Sequence, residues 1–342
     1  MSQIALYRKY RPQNFAEVLG QDHIVAVLKE AAKNGSISHA YLFSGSRGTG
    51  KTSVARILAR EIGCSPEDIY EIDAASNRRI EDVREIREAV HVLPMNSPYK
   101  VYIVDEVHMM TKEAFNALLK TLEEPPKHVI FILATTEVEK LPETVVSRCQ
   151  SFSFKKPSHK MLKEMSVQIA KKEGKTLEPA AAELIGVLSD GSFRDMHGIL
   201  EKIMSASLAK KITLEEVEKF TGAPAGRLLN DFLLSIDEKD AQRGLKAVSE
   251  AVQKNMDIKI FLRLVLGRMR QVILLRYAPE MEGDIKNELV EEDFRLIKRL
   301  SGKKNSGINS ASLKEVISAY EATGRSGIAQ LPAELSIIKL AQ

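Results

Sequence analysis

A glycine-rich segment near residue 50 has the residue types of a phosphate-binding loop. It fits the pattern G-x-x-x-x-G-K-[ST], in which backbone N–H groups converge on phosphate oxygens. In that pattern Lys51 would reach the β- and γ-phosphates, and the Thr52 hydroxyl would bind Mg²⁺. An apolar run, Tyr41–Phe43, precedes the segment and a predicted helix, Ser53–Glu61, follows it, as the motif requires. The residues predicted to bind the phosphates are Gly45, Ser46, Arg47, Gly48, Thr49, Gly50, Lys51, Thr52 and Ser53.

A second apolar run, Val101–Val104, ends in two carboxylates. Ligands collect at the carboxyl ends of strands in open α/β sheets. We expect Asp105 to hold Mg²⁺ through water and Glu106 to polarise the water that attacks the γ-phosphorus. This favours hydrolysis over a kinase reaction, because nothing in the sequence indicates a pocket for an acceptor hydroxyl. We interpret His108 as a packing or hydrogen-bonding residue without a catalytic role.

These side chains need a parallel sheet to bring them together. Short apolar runs alternate with helical patterns over the first 155 residues, and one such helix, Lys112–Leu122, begins after a Thr111 cap and stops before Pro125. Strands that are apolar throughout are typical of a parallel sheet with both faces covered, so we predict a doubly wound α/β fold. The predicted strands are Tyr41–Phe43, Ile69–Ile72, Val101–Val104, Val129–Ala134 and Phe152–Phe154.

The strand pattern disappears after the Lys155–Pro157 junction, and a second break lies near Thr221–Pro224. We therefore predict three domains: 1–158, which binds the nucleotide, and two helical domains, 159–221 and 222–342.

Composition excludes several classes of protein. The chain of 342 residues is 44% hydrophobic and 28% charged, with a net charge of +4. No apolar run is long enough to span a membrane and the start lacks the apolar core of a secretory signal, so we expect a cytoplasmic protein that makes no membrane contact. The two cysteines, Cys64 and Cys149, form no Cys-x-x-Cys pair, which argues against a zinc site. The first 60 residues carry nine Lys and Arg against three Asp and Glu, a basic excess around the glycine-rich loop.

The motifs together resemble the gamma/tau ATPase subunit of the bacterial DNA polymerase III clamp loader, an AAA+ family. The most specific stretch is DEVHMMTKEAFNALLKTLEEPP, found together with an SRC triplet. The resemblance covers about the first 220 residues and weakens after them. The matching segments are Tyr7–Pro12, Gly20-Gln21, His39–Thr52, Glu71–Ser76, Asp105–Pro126, Ala134–Thr136, Ser147–Cys149 and Gly191–Asp195.

The resemblance implies a replication protein with three parts. These are an AAA+ P-loop domain with a doubly wound, five-stranded parallel sheet, a small helical lid, and an all-α collar that joins five subunits in a ring. The family's ATP-bound state opens a ring-shaped sliding clamp and grips primed DNA, and hydrolysis of ATP releases the clamp onto the duplex. ATP and Mg²⁺ are the implied ligands.

The resemblance also implies roles for single residues. Arg148 corresponds to the arginine finger that reaches the γ-phosphate bound by the neighbouring subunit; the alternative is an ordinary surface arginine. Arg194 corresponds to the lid residue that contacts phosphates of its own subunit; a salt bridge to Asp195 or Glu201 is the alternative. Thr136 matches the polar sensor that helps to place the attacking water, with Thr135 as the alternative. The segment expected to fold over the adenosine contains Tyr7, Arg8, Arg11 and Pro12, with Val18 and Leu19 as apolar contacts to the base.

DNA would be held through its phosphates by helix N-termini and basic side chains, without sequence reading. An ordinary solvated face remains the alternative for these positions. The candidates are Asn77, Arg78, Arg79, Thr111 and Lys112.

One departure from the family pattern is large. Relatives usually carry a cysteine-rich zinc module before the second strand. Here only four residues separate Cys64 from Ile69, where the second predicted strand begins, so we predict no zinc. The sequence ends where the collar would end, so if it is the whole protein we expect the shorter gamma form; a longer, tau-like extension stays open. Two other functions stay open: an AAA+ motor for DNA branch migration or recombination, and a clamp-loader scaffold subunit that does not hydrolyse ATP.

Overall fold

The computed structural model describes residues 4–76, 80–224, 226–289 and 291–342. The chain divides into two compact units, Met1–Leu162 with Ser189–Gly198 and Lys163–Leu188 with Ile199–Gln342. This division does not test the three predicted domain boundaries, which stay a prediction.

The first unit is built on a five-stranded parallel sheet. The strands are β1 (Ala40–Ser44), β2 (Ile69–Asp73), β3 (Lys100–Asp105), β4 (Val129–Thr135) and β5 (Gln150–Ser153). They lie in the order β2-β3-β4-β1-β5, and the predicted fold class is confirmed. Each predicted strand lies within two residues of an observed one, and the largest shift is at β5, where the apolar run extends past the hydrogen-bonded segment.

Helices cover both faces of this sheet. Side chains of β1 alternate between the two faces. Tyr41 and Phe43 pack with the helices Asp22–Asn34 and Lys51–Glu61, and Leu42 packs with the helices Ile80–Ala89 and Lys112–Glu123. Burying each such side chain contributes roughly 1.5–3 kcal/mol to the stability of the fold. The helices of this unit are α1 (Leu6–Lys9), α2 (Asp22–Asn34), α3 (Lys51–Glu61), α4 (Ile80–Ala89), α5 (Lys112–Glu123) and α6 (Glu143–Val146). Single 3-10 turns occur at Phe15–Glu17, Pro66–Asp68, Val107–Met109 and Val138–Lys140.

The remaining helices run from residue 159 to the end of the chain, and two of them, which begin at His159 and Phe193, start in the first unit. They are α7 (His159–Lys172), α8 (Pro179–Leu188), α9 (Phe193–Ala206), α10 (Leu214–Thr221), α11 (Gly226–Glu238), α12 (Ala241–Gln253), α13 (Ile258–Tyr277), α14 (Glu282–Glu288), α15 (Glu291–Ser301), α16 (Ser310–Thr323) and α17 (Leu331–Ala341), with a 3-10 turn at Pro279–Met281. The expectation that strands disappear here is wrong in one detail, because Thr176–Leu177 (β6) and Lys211–Ile212 (β7) form a short parallel pair.

The core of the second unit is mainly apolar and also contains a buried cation, Arg268. Arg268 of α13 pairs with Asp293 of α15, and its Nη1 donates to Asn230 and to the Gly226 carbonyl oxygen of α11. A buried guanidinium needs such partners, since losing one leaves an uncompensated charge. This network therefore fixes three helices against one another.

Within the described residues, no helix is long and apolar enough to cross a membrane.

Candidate functional site

The glycine-rich loop joins β1 to α3 in a conformation that its glycines make possible. Gly45, Gly48 and Gly50 have φ values of 140°, 73° and 102°. A Cβ on Gly45 would lie 2.6 Å from the Phe154 carbonyl oxygen, and one on Gly48 would lie 2.0 Å from Ser192 Oγ. The loop then enters α3, whose first N–H groups have no intrahelical acceptors, so its end is open to an anion.

Lys51 lies under the loop, with 5% of its surface exposed. Its Nζ donates to the Gly45 carbonyl oxygen at 2.7 Å and to that of Ser46 at 3.0 Å. Burial lowers the pKa of Lys51, while Glu106 and Asp105 oppose that shift. The ammonium group is thus held among backbone oxygens and next to the two acids, where phosphate oxygens would replace the carbonyls as acceptors.

Thr52 and Asp105 meet across the loop and the end of β3. Thr52 Oγ1 donates to Asp105 Oδ2 at 2.9 Å, and Asp105 Oδ1 accepts the Glu106 N–H at 3.0 Å. One hydroxyl and one carboxylate fit Mg²⁺, which keeps several waters and takes further ligands from phosphates. In the described part of the chain, no group of three or more His, Cys, Asp or Glu side chains could hold a metal ion by itself.

Glu106 follows Asp105 in a left-handed conformation, with φ at 49°. Its Oε2 accepts hydrogen bonds from Thr136 twice, from the N–H at 3.2 Å and from Oγ1 at 3.1 Å. The side chain is 30% exposed. The predicted base and the predicted sensor are therefore in direct contact, with Oε2 anchored by Thr136.

Thr135 and His108 are in direct contact beside the two acids. Thr135 is buried, and its Oγ1 lies 3.0 Å from His108 Nδ1 and accepts the Glu137 N–H at 3.0 Å. The side chain of His108 is 5% exposed and its Nε2 lies 3.2 Å from Glu137 Oε1. This contact could have been expected from the sequence, because His108 closely follows the two acids and therefore lies at the same sheet edge as residues 135–137.

The N-terminal segment lies against the first turn of α9. The Arg194 guanidinium is 6.0 Å from the centre of the Tyr7 ring, and Arg8 Nε donates to the Tyr7 hydroxyl at 3.0 Å. Burial lowers the pKa of Arg11, and the charges of Arg56 and Arg194 add to that effect. The Phe193 N–H also donates to the Gly48 carbonyl oxygen at 2.9 Å, which ties α9 to the phosphate loop.

The other predicted adenosine contacts differ in their surroundings. Val18 packs against the core beneath α2 and α3, Leu19 is 42% exposed, and Pro12 is half-buried. Leu19 is therefore the more available of the two apolar side chains for a base.

Arg148 lies away from the loop of its own chain. It forms an ion pair with Glu123 Oε1 at 2.6 Å and donates to the Thr144 carbonyl oxygen at 2.7 Å. Gln150 pairs with Tyr41 at the start of β1, so Arg148 is at the amino edge of the sheet and the phosphate loop is at the carboxyl edge. With a rise of about 3.3 Å per residue, the four residues from Tyr41 to Gly45 place the two edges roughly 13 Å apart.

The predicted DNA contacts are only partly described. Thr111 caps α5 by accepting the Ala114 N–H at 3.2 Å, and Thr111 and Lys112 are both exposed. The other candidates, Asn77, Arg78 and Arg79, lie outside the described residues.

Both cysteines carry thiols whose ionisation is disfavoured. Burial raises the pKa of Cys64, which donates to the Tyr99 carbonyl oxygen at 3.2 Å, and burial raises the pKa of Cys149 to about 11. Metal binding needs the thiolate, so the raised pKa of each cysteine disfavours binding of a metal ion there.

Relatives of the chain are replication proteins. A family model described as "DNA polymerase III, delta subunit" matches residues 20–79 and 68–158. The tau subunit of DNA polymerase III from Bacillus subtilis (strain 168) is 39% identical over 86% of this chain and 56% of the relative. The gamma subunit from Buchnera aphidicola subsp. Schizaphis graminum is 35% identical over 88% of each chain. The chain thus spans about half the length of the first relative and most of the second.

Among solved structures, the Thermotoga maritima RuvB Holliday junction branch migration motor has a similar fold. The TM-score is 0.53 at 22% identity, over 66% of this chain and 79% of that one. At this level of identity the likeness shows a shared fold and nothing more.

Proposed function

Because the chain belongs to the DNA polymerase III gamma/tau subunit family, we propose that it is the ATP-hydrolysing subunit of a replicative clamp loader. In this role it uses ATP to open a ring-shaped sliding clamp and to place it on primed DNA in the cytoplasm. One observation supports hydrolysis above all: Lys51, the Thr52–Asp105 pair and Glu106 meet at one sheet edge beside an open helix end.

Each side chain of the site has its own role in binding or hydrolysing ATP. Lys51 and the backbone N–H groups of the loop bind the phosphates, while Thr52 and Asp105 hold Mg²⁺. When bound, Mg²⁺ neutralises charge on the β- and γ-phosphate oxygens. Glu106 orients the attacking water with Oε1 while Thr136 holds Oε2. Tyr7, Arg11 and Leu19 surround the adenosine. Arg194 contacts the phosphates and so couples the position of the lid to the bound nucleotide.

Arg148 acts on the neighbouring subunit. The Arg148 guanidinium lies at the opposite edge of the sheet from the phosphate loop of its own chain, which favours action on the ATP of another chain. Its present partner is a half-exposed glutamate that water can replace. An arginine supplied by another chain contributes about 10³- to 10⁵-fold to phosphoryl transfer. Hydrolysis would thus depend on assembly.

Assembly and DNA binding use other surfaces. An apolar stripe on α17, formed by Leu331, Leu335 and Ile338, is 38–55% exposed and supports packing against other subunits in a five-membered ring. The phosphates of DNA would contact Thr111 and Lys112 at the start of α5, together with Asn77, Arg78 and Arg79.

A comparison of ATP turnover tests this function. We expect slow hydrolysis by the chain alone and much faster hydrolysis with its partner subunits, a sliding clamp and primed DNA. Lys51→Ala should abolish nucleotide binding, and Arg148→Ala should leave binding intact while removing most of the DNA-stimulated turnover. Full stimulated turnover in Arg148→Ala would rule out its action on the neighbouring subunit, and normal turnover in Lys51→Ala would rule out the phosphate loop.

The scaffold alternative is disfavoured because Lys51, Thr52, Asp105 and Glu106 are all present and placed together. Absence of ATP turnover with the complete set of partners would restore it.

A further inference from the structure

His108 lies between two acids and a threonine at the carboxyl edge of the sheet. Its Nδ1 is 3.0 Å from Thr135 Oγ1 and 3.4 Å from Glu106 Oε2, and its Nε2 is 3.2 Å from Glu137 Oε1. The side chain is 5% exposed, so it meets these groups with little competition from water.

The partners determine which ring nitrogen carries the proton. The ion pair with Lys140 is the main reason why the pKa of Glu137 is lower than usual, so Glu137 is an ionised acceptor. Nε2 must then donate to Glu137 Oε1. In a neutral imidazole with its proton on Nε2, Nδ1 is the acceptor, so Thr135 Oγ1 accepts the Glu137 N–H and donates its own proton to Nδ1.

These bonds close into a ring. The Glu137 N–H donates to Thr135, the Thr135 hydroxyl donates to His108, and His108 donates back to the Glu137 carboxylate. Every donor in the ring has an acceptor, so the turn over residues 135–137 is held in one conformation. Thr136 lies at the centre of this turn and makes both hydrogen bonds to Glu106.

We propose that His108 is a positioning residue for ATP hydrolysis: with Glu137 and Thr135 it fixes the turn that lets Thr136 orient the Glu106 carboxylate. This inference rests on the proposed function, because it explains the ring by its effect on Glu106, the residue proposed to orient the attacking water. His108 supports the turn that carries Thr136, and its Nδ1 lies 3.4 Å from Glu106 Oε2, so it acts on the position of the Glu106 carboxylate.

Two substitutions of His108 separate its hydrogen bonds from its bulk. Leucine keeps an apolar side chain of similar size but opens the ring, whereas glutamine offers one acceptor and one donor for the same two partners. We expect His108→Leu to lower kcat at least ~10-fold, as small misplacements of catalytic groups do, and to change the Kd for ATP by less than about threefold because the phosphate loop is untouched. His108→Gln should recover most of the lost kcat.

His128 provides the matched control. Its Nε2 lies 3.0 Å from the Val90 carbonyl oxygen, just before β4 begins and at the opposite end of that strand from the ring. His128→Gln should leave kcat within twofold of the wild type. Thermal unfolding of all variants identifies any loss of kcat caused by loss of folded protein.

Amide hydrogen exchange tests the ring without any turnover. Opening it should speed exchange of the Thr136 and Glu137 N–H groups in His108→Leu, but not in His128→Gln. Unchanged exchange, a kcat within twofold of the wild type, or equal losses in His108→Leu and His108→Gln would each overturn the proposal. Failure of the proposed function would instead appear as absent turnover in the wild-type assembly, or as retained turnover in Glu106→Gln.

Discussion

Asp68 shows how one buried carboxylate can organise a turn. It accepts hydrogen bonds from the Met95 N–H at 2.7 Å, the Asn96 N–H at 3.0 Å and the Ser65 hydroxyl at 3.1 Å, and also from Ser97. Burial alone would raise the pKa of Asp68, but these bonds outweigh it and hold the pKa well below its usual range. These hydrogen bonds therefore join the short turn after Cys64 to residues 95–97, which lead into β3.

We expect Asp68→Asn to lower the free energy of unfolding by ~1–3 kcal/mol near neutral pH, because its amide group would face donors instead of accepting from them. The contribution of Asp68 is fully present above the pKa of the unfolded chain, about 3.9, and is lost as pH falls toward the lower folded value. Urea unfolding from pH 7 to pH 3.5 should therefore show the gap between wild type and variant narrow below about pH 4. A gap that widens in acid would contradict this account.

Residues in contiguous motifs were predictable from the sequence. Lys51, Thr52, Asp105 and Glu106 meet as expected, because a strand followed by a loop and a helix constrains where each side chain lies. The contribution of His108 was not predictable, since it depends on a glutamate that follows another strand. Only the register between β3 and β4 brings the two together.

At the scale of elements, the apolar strands were the most predictable part of the fold. Runs such as 101–104 and 129–134 are buried on both faces, so their composition alone identifies them. The edge strand Gln150–Ser153 is largely exposed and polar, and β6 and β7 have two residues each, too few for a periodic pattern. The helix α3 begins at Lys51, two residues before the predicted start, because its N-cap is Gly50 of the loop itself.

The phosphate loop also gives a prediction at this scale. We expect Gly45→Ala to lower the free energy of unfolding more than Gly35→Ala and to abolish nucleotide binding, because the new Cβ would lie 2.6 Å from a backbone oxygen that cannot rotate away. Gly35 also has positive φ, at 67°, but a Cβ there meets nothing within 4 Å, so Gly35→Ala should cost only ~1–2 kcal/mol. Denaturant unfolding and equilibrium binding of ATP to both variants make the comparison. Equal stability of the two would show that crowding at Gly45 is unimportant.

At the scale of the whole molecule, assembly should depend on the stripe along α17. Leu331, Leu335 and Ile338 recur at helical spacing on one exposed face. We expect Leu335→Glu with Ile338→Glu to weaken entry into the multisubunit complex at least ~10-fold, since an interface loses apolar burial and gains two charges.

Sedimentation of the chain mixed with its partner subunits would measure this effect. Val167→Glu is the control, because Val167 is 41% exposed and belongs to a different helix, α7. Nucleotide binding by the free chain should be the same in all variants. Normal assembly of the double variant would show that subunits meet through another surface.

Retention of a sliding clamp on primed circular DNA, scored after incubation of the reconstituted complex with ATP, tests the central claim most directly. The wild-type chain should leave clamps on the DNA when ATP is present and none when it is omitted, and Lys51→Ala should leave none under either condition. Clamp loading that is equal with Lys51→Ala, or that proceeds without ATP, would contradict the proposal that this site binds and hydrolyses ATP to drive loading.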